Sequence, residues 1–111
     1  MSNTTTVVNI HKTSLAKLGY NNLEEWLKDP NNVYIGRHLV YVKGTFNSKW
    51  RNPFPINRLG REECIKAFRD MLMSNPKLLG ELGELKGKTL GCWCKPEACH
   101  GDVLVELINS L

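Results

Sequence analysis

The sequence predicts a small α/β fold: a mostly parallel or mixed sheet of three to five strands flanked by helices. Three observations carry that expectation. Short β-branched runs alternate with segments of helical periodicity, the pattern of strand-helix-strand units. The chain has 111 residues, enough for one domain and not two. Its hydrophobic fraction of 41% and three tryptophans are sufficient for a packed core. A single domain over residues 1–111 is therefore expected, with residues 1–5 as a flexible lead.

Thr6-Val7-Val8-Asn9-Ile10 reads as the first strand, closed by His11 and Lys12. Asn21 or Asn22 caps a short helix, Leu23 to Lys28, with Glu24 and Glu25 in its first turn. Asp29-Pro30-Asn31-Asn32 breaks it. Val33-Tyr34-Ile35 forms a second strand, which Gly36 and Arg37 leave. Gly36 permits a sharp turn or a close approach of backbone, and Arg37 at a strand end suits an anion. Leu39 to Lys43 reads as another short strand, a candidate hairpin arm.

Gly44 to Gly60 is irregular, since its prolines and asparagines oppose any regular element. Within it, Lys49-Trp50-Arg51-Asn52 interleaves cations, an aromatic ring and an amide. Such a stretch suits a base stacked on Trp50 with a phosphate on Lys49 or Arg51; equally, Trp50 and Phe54 can pin the loop to the core. Arg61 to Met73 is a helix, with Ile65, Phe68 and Leu72 at helical spacing and Cys64 as a core thiol. Ser74-Asn75-Pro76 ends it and starts a short helical turn through Leu82. A central strand follows at Leu90–Cys94. The last helix, Val103 to Ile108, starts at Gly101 or Asp102 and turns Val103, Leu104, Leu107, Ile108 and Leu111 toward the sheet.

Three of the four cysteines lie between Gly91 and Gly101, where a strand ends and a helix begins. Strand ends of parallel sheets leave a crevice, and helix N-termini offer free N–H groups. Two chemistries compete for the cluster. Cys92, Cys94, Cys99 and His100 have the composition of a structural zinc site, so zinc is a possible cofactor. Their spacing opposes it, because one residue separates Cys92 from Cys94 and none separates Cys99 from His100. Alternatively, Cys94 or Cys99 is an activated nucleophile beside a helix N-terminus, with His100 or Asp102 moving the proton. Cys92, deepest in the strand, reads as core, and Trp93 as packing on the opposite face.

Val33-Tyr34-Ile35-Gly36-Arg37, Ser48-Lys49-Trp50-Arg51-Asn52-Pro53-Phe54, Leu90-Gly91-Cys92-Trp93-Cys94-Lys95-Pro96 and Cys99-His100-Gly101-Asp102 occur in that order. This pattern resembles the family catalogued as domain of unknown function 4326, found in phages, bacteria and large DNA viruses. The resemblance runs from about Val7 to the C-terminus. It departs at Arg51, where the family commonly has glycine. The strand, Cys-His and final-helix arrangement resembles, more weakly, bacterial family number 488 of the same series. The resemblance implies that the four blocks belong to one domain and converge. Arg37, Asn52, Cys94, Cys99, His100 and Asp102 would then rim one crevice at the C-terminal edge of the sheet.

Such a crevice suits a nucleotide or nucleoside derivative held by Gly36, Arg37, Lys49, Trp50, Asn52 and Gly101. The competing partner is nucleic acid held by Arg37, Lys49, Trp50 and Arg51 without catalysis; a net charge of +4 is compatible with either. No apolar run is long enough to cross a bilayer. The N-terminus lacks the basic region and apolar stretch of a signal peptide, so a cytoplasmic protein is expected, in a host cell or virion if viral. In a reducing compartment its cysteines are thiols or metal ligands. The sequence specifies neither a reaction nor an oligomeric state.

Overall fold

The computed structural model describes residues 4–54, 56–95 and 97–110, with the side chains of Ile56 and Asn57 excepted. The parts expected of Pro55 and Pro96 in turns, and of Leu111 on the last helix, lie outside the described residues. The elements in order are β1 (Thr6–Asn9), α1 (Lys12–Lys17), α2 (Leu23–Trp26), β2 (Asn32–Tyr34), α3 (Ile56–Leu59), α4 (Arg61–Met73), α5 (Pro76–Glu81), a 3₁₀ turn (Leu82–Leu85), β3 (Thr89–Cys92) and α6 (His100–Asn109).

The sheet is parallel, in the order β1-β3-β2. Val7 and Val33 flank Leu90, and Val8 and Tyr34 flank Gly91. Side chains alternate along β3 and so define two faces. Leu90 and Cys92 join Phe68 and Leu72 of α4, Leu82 and Leu85 of the 3₁₀ turn, and Val103, Leu104 and Ile108 of α6 in one core. Gly91 faces the other side, where Ile10, Leu15, Leu23, Trp26 and Tyr34 form a second core under α1 and α2. The sheet is thus the middle of three layers. The crossover from β1 to β2 runs along the α1/α2 face, and the return to β3 runs along the α4 face. Reversing direction while changing faces gives both crossovers the same hand, as strand twist favours.

α4 spans the residues its periodicity predicts and buries Cys64, Phe68 and Leu72, four residues apart. Four expectations need correction. The chain does not simply close β1 at His11 and Lys12: it starts α1 there, a helix with Leu15 as its buried residue. One buried position leaves no periodic signal to read. Leu39 to Lys43 is not a strand but a turn. Val42 N–H donates to Leu39 O (3.0 Å), and the Thr45 hydroxyl accepts from Leu39 N–H (2.9 Å), so the backbone is satisfied locally rather than in a ladder. Among the described residues, Gly44 to Gly60 is irregular except for α3. Finally, the lead expected to be loose through residue 5 is tied down at Thr5. This buried hydroxyl donates to Leu85 O (3.0 Å) and accepts from Gly87 N–H (2.9 Å).

Candidate functional site

β3 ends at Cys92, two residues earlier than the strand expected through Cys94. The chain then turns, with Glu97 N–H donating to Cys94 O (2.8 Å), and enters α6 at His100. Cys92 and Cys94 therefore do not share a strand face. α6 begins earlier than expected because Cys99 caps it. Its Sγ accepts from Gly101 N–H (3.3 Å), and the Asp102 carboxylate reaches back to Cys99 N–H (3.1 Å). These reciprocal bonds satisfy N–H groups that a helix start otherwise leaves free. Asp102 N–H donates to Cys99 O (3.0 Å). The free N–H groups expected to greet a phosphate at Gly101 and Asp102 are already used.

At the C-terminal edge of the sheet lies a crevice of about 170 Å³. Gly36 and Arg37 leave β2 along one wall, and Asn52 and Phe54 come from the long loop. Arg61, Cys64 and Ile65 come from the start of α4, and Cys92 to Cys94 and Ala98 to His100 from the chain after β3. Of the residues expected to converge, Gly36, Arg37, Asn52, Cys94, Cys99 and His100 do so. Gly101 and Asp102 lie behind the wall. Gly101 lets α6 settle on the sheet: a Cβ there would sit 2.9 Å from Ile35 Cδ1 and 3.0 Å from both Val7 methyls. Asp102 pairs with Lys95 instead of facing the crevice.

Lys49 and Trp50 lie elsewhere. Trp50 is 2% exposed within the α4/α6 core, so its ring cannot stack on a base. Lys49 pairs with Glu81 and Glu84. Arg51 folds back, donating from Nη1 to Ser48 O (3.0 Å). The interleaved cations and ring therefore pin the loop. Asn52 lines the crevice, yet its amide is committed: Nδ2 reaches Cys64 O (3.3 Å) and Sγ (3.1 Å), and Oδ1 accepts from Phe54 N–H (2.9 Å). Cys64 closes this knot by donating to Phe54 O (3.0 Å).

Arg37 differs. Among the described residues its guanidinium has no hydrogen bond or ion pair, and the residue is exposed at the crevice. Its position is fixed through its own carbonyl, which accepts from the Tyr34 hydroxyl (2.5 Å). Tyr34 in turn accepts from Trp93 Nε1 (3.0 Å). A second cation, Arg61, donates from Nη1 to Ala98 O (2.8 Å) and holds the far wall. The spacing of α4 gave no reason to single it out.

His100 is buried, with its ring edge-on to Phe68 and Nε2 at 2.8 Å from Ile35 O. Burial lowers its pKa more than its bonds to the Ile35 and Trp50 backbone raise it. Neutral imidazole with Nε2–H donating to Ile35 O follows, which makes His100 a brace between α6 and β2. Cys92 Sγ lies 3.2 Å from Cys99 Sγ. Together they hold one negative charge readily and a second with difficulty. The pKa of Cys92 is lowered, first by the hydrogen bond from Cys99 and then, against its burial, by the backbone amides of Cys94 and Lys95 and the Lys95 ammonium. Cys99 is raised by the same neighbour and by burial. Cys92 is a core residue, as read, and it is also the thiol of the pair whose pKa is lowered; the amides that help lower it were not visible from spacing. The zinc set lines one crevice but does not present its donors to one point. His100 Nε2 is bound to a carbonyl, and among the described residues no three His, Cys, Asp or Glu side chains gather as a metal-binding group.

Fold and site together define a parallel α/β domain with a thiol-floored, arginine-edged crevice beyond its strand ends. The chain belongs to the family described as a domain of unknown function, DUF4326, whose model matches residues 20–110. It is 40% identical over 92 residues to "Uncharacterized protein R718" of Acanthamoeba polyphaga mimivirus, covering 71% of this chain and 68% of that protein. It is 34% identical over 73 residues to the "Uncharacterized 12.4 kDa protein in nrdA-td intergenic region" of Enterobacteria phage T4, covering 62% of this chain and 65% of that protein. The chain thus matches about two thirds of the length of each relative. No solved structure matches it. No helix among the described residues is long and apolar enough to cross a membrane.

Proposed function

We propose that the crevice binds a small phosphate-bearing molecule of the nucleotide or nucleoside class. The observation that carries the reading is the unengaged guanidinium of Arg37 beside a ring-sized apolar recess. A volume of about 170 Å³ is close to the roughly 150 Å³ that takes a benzene ring. It is smaller than the roughly 300 Å³ and more that enclose a drug-sized ligand. A base or similar ring enters against Phe54, Ile65 and Trp93, and the phosphate stays at the mouth on Arg37, where a planar cation takes it bidentately. The helix N-terminus has no part in this binding. Any thiol nucleophile acting on the ligand comes from Cys92, Cys94 or Cys99, which all line the crevice.

Thermal-shift and calorimetric titrations of the four nucleoside monophosphates, nucleosides and inorganic phosphate test the reading. At least one monophosphate is expected to stabilise the wild type more than its nucleoside or phosphate alone. Arg37→Ala is expected to weaken that binding about 10- to 100-fold, the worth of a charge-assisted bond of roughly 1.5–3 kcal/mol. If no monophosphate shifts the wild type, or if Arg37→Ala binds as tightly, the reading fails.

A further inference from the structure

The four thiols have different surroundings. Cys64 is tied to the Phe54 carbonyl and the Asn52 amide. Cys94 is half-buried on the crevice wall. Cys92 and Cys99 face each other at 3.2 Å, each 2% exposed but lining the crevice, so a small reagent has a route to them. They come from two well-packed places, the end of the central strand and the cap of the last helix. Six positions separate them in sequence.

We propose that Cys92 and Cys99 form a redox pair, which a hydroperoxide entering the crevice oxidises to a disulfide joining the end of β3 to the cap of α6. Bonding distance for two sulfurs is about 2.05 Å, so they must approach by roughly 1.2 Å, within the reach of χ1 adjustments. In the first step Cys92 Sγ attacks the distal peroxide oxygen. The O–O bond breaks, the leaving oxygen takes a proton from solvent, and water or an alcohol departs, leaving Cys92 as a sulfenic acid. In the second step Cys99 Sγ attacks the Cys92 sulfur. The S–O bond breaks, and the departing hydroxide leaves as water with the Cys99 proton. Two thiols and one hydrogen peroxide give one disulfide and two waters.

The surroundings assign the order. The amides of Cys94 and Lys95 and the Lys95 ammonium favour thiolate on Cys92, the first nucleophile. Cys99 is held as a thiol first by the hydrogen bond it shares with Cys92, then by burial, then by the charge on Cys92. The charge is gone once Cys92 is a neutral sulfenic acid, when Cys99 is required as the second nucleophile. The pair needs no other ligand, so it stands or falls separately from the phosphate reading.

The test treats the fully reduced chain with one equivalent of hydrogen peroxide, then blocks remaining thiols and digests with a protease that cuts after glutamate. Cleavage after Glu97 separates Cys99 from Cys92 and Cys94 unless a disulfide holds the fragments. Thiols counted after unfolding are expected to fall from four to two in the wild type and from three to one in Cys94→Ser, with the fragments joined in both. Cys99→Ser is expected to leave them apart and to retain the sulfenic acid on Cys92, detectable with dimedone. Cys94→Ser keeps the pair intact, so the test does not depend on a variant that misfolds. Joined fragments in the wild type but not in Cys94→Ser would overturn the proposal. So would thiols that stay at four, oxidation of Cys64 or Cys94 first, or one bound zinc protecting the thiols.

Discussion

The indole of Trp26 occupies the space that a side chain at Gly91 would need. A Cβ at position 91 would lie 2.6 Å from Trp26 Cη2 and 2.9 Å from Ile10 Cγ2. Neither neighbour is free to yield: both are 1% exposed, and position 91 is on the central strand. The contact seats α2 on β3 one residue before Cys92, so packing on one face of the sheet helps place the thiolate on the other. Gly91→Ala is expected to destabilise the fold by about 1–3 kcal/mol, the usual cost of overpacking. Denaturant midpoints would measure it; an unchanged midpoint would show that α2 slides freely.

Trp50 and Lys49 are adjacent in sequence and opposite in structural consequence. Trp50 fills the α4/α6 core, and Trp50→Ala is expected to cost about 3–5 kcal/mol of stability. Lys49 is solvent-screened, and its bonds to Glu81 and Glu84 lie on the surface. Lys49→Ala is expected to leave the melting temperature nearly unchanged. It should also leave nucleotide binding unchanged, since Lys49 is outside the crevice. A loss of binding in Lys49→Ala with stability preserved would return the loop to the site.

The sequence reveals most where an element is long or its signal repeats. α4 buries positions 64, 68 and 72 and is legible to the residue, and the run before Gly91 marks the central strand. α1 and the turn from Leu39 to Thr45 were not legible for opposite reasons. α1 has one buried residue, Leu15, and so no period. The turn has a continuous run of β-prone apolar residues, Leu39 to Val42, that mimics a strand, yet Val40 and Tyr41 are 80% and 99% exposed, and the Thr45 hydroxyl replaces a ladder partner. Within the site, the convergence of Arg37 with the Cys-His segment was implied by the family resemblance, and it accords with the place of each just after a strand. What was not legible depends on backbone direction: the cap that engages the Gly101 and Asp102 N–H groups, and the amides of Cys94 and Lys95 that lower the Cys92 pKa.

His100 makes stability depend on pH in a defined direction. Burial lowers its folded-state pKa below the ordinary 6.5. As pH falls through 6.5, the unfolded chain takes up a proton that the folded chain refuses. Stability is therefore fully present above 6.5 and declines below it, with a limiting slope of about 1.4 kcal/mol per pH unit. His100→Gln keeps a side-chain N–H for the Ile35 carbonyl but does not titrate. Its denaturation free energy is expected to be lower at neutral pH and flatter between pH 6.5 and 4.5. An equal slope in both proteins would remove His100 from this role.

Cys92 provides a second titration, visible without unfolding the chain. Its thiol is lowered from 9.0 to about 6, first by the Cys99 donor, then by the Cys94 and Lys95 amides, with the Lys95 ammonium the smallest of these. Thiolate absorbs near 240 nm, so a step of about one thiolate is expected near pH 6. Cys92→Ser should abolish that step. Cys99→Ala removes the largest stabilising partner and should raise the midpoint most; Lys95→Ala should raise it less, because both amides remain. The linkage has a definite sign. A folded-state pKa below the unfolded value adds stability that is complete above the unfolded pKa and is lost as pH falls through about 6. Cys92→Ser should therefore lose stability relative to the wild type at pH 9 and approach it at pH 5. A wild-type absorbance with no step below pH 8, or a step that survives Cys92→Ser, would show that the amides after β3 do not hold a thiolate.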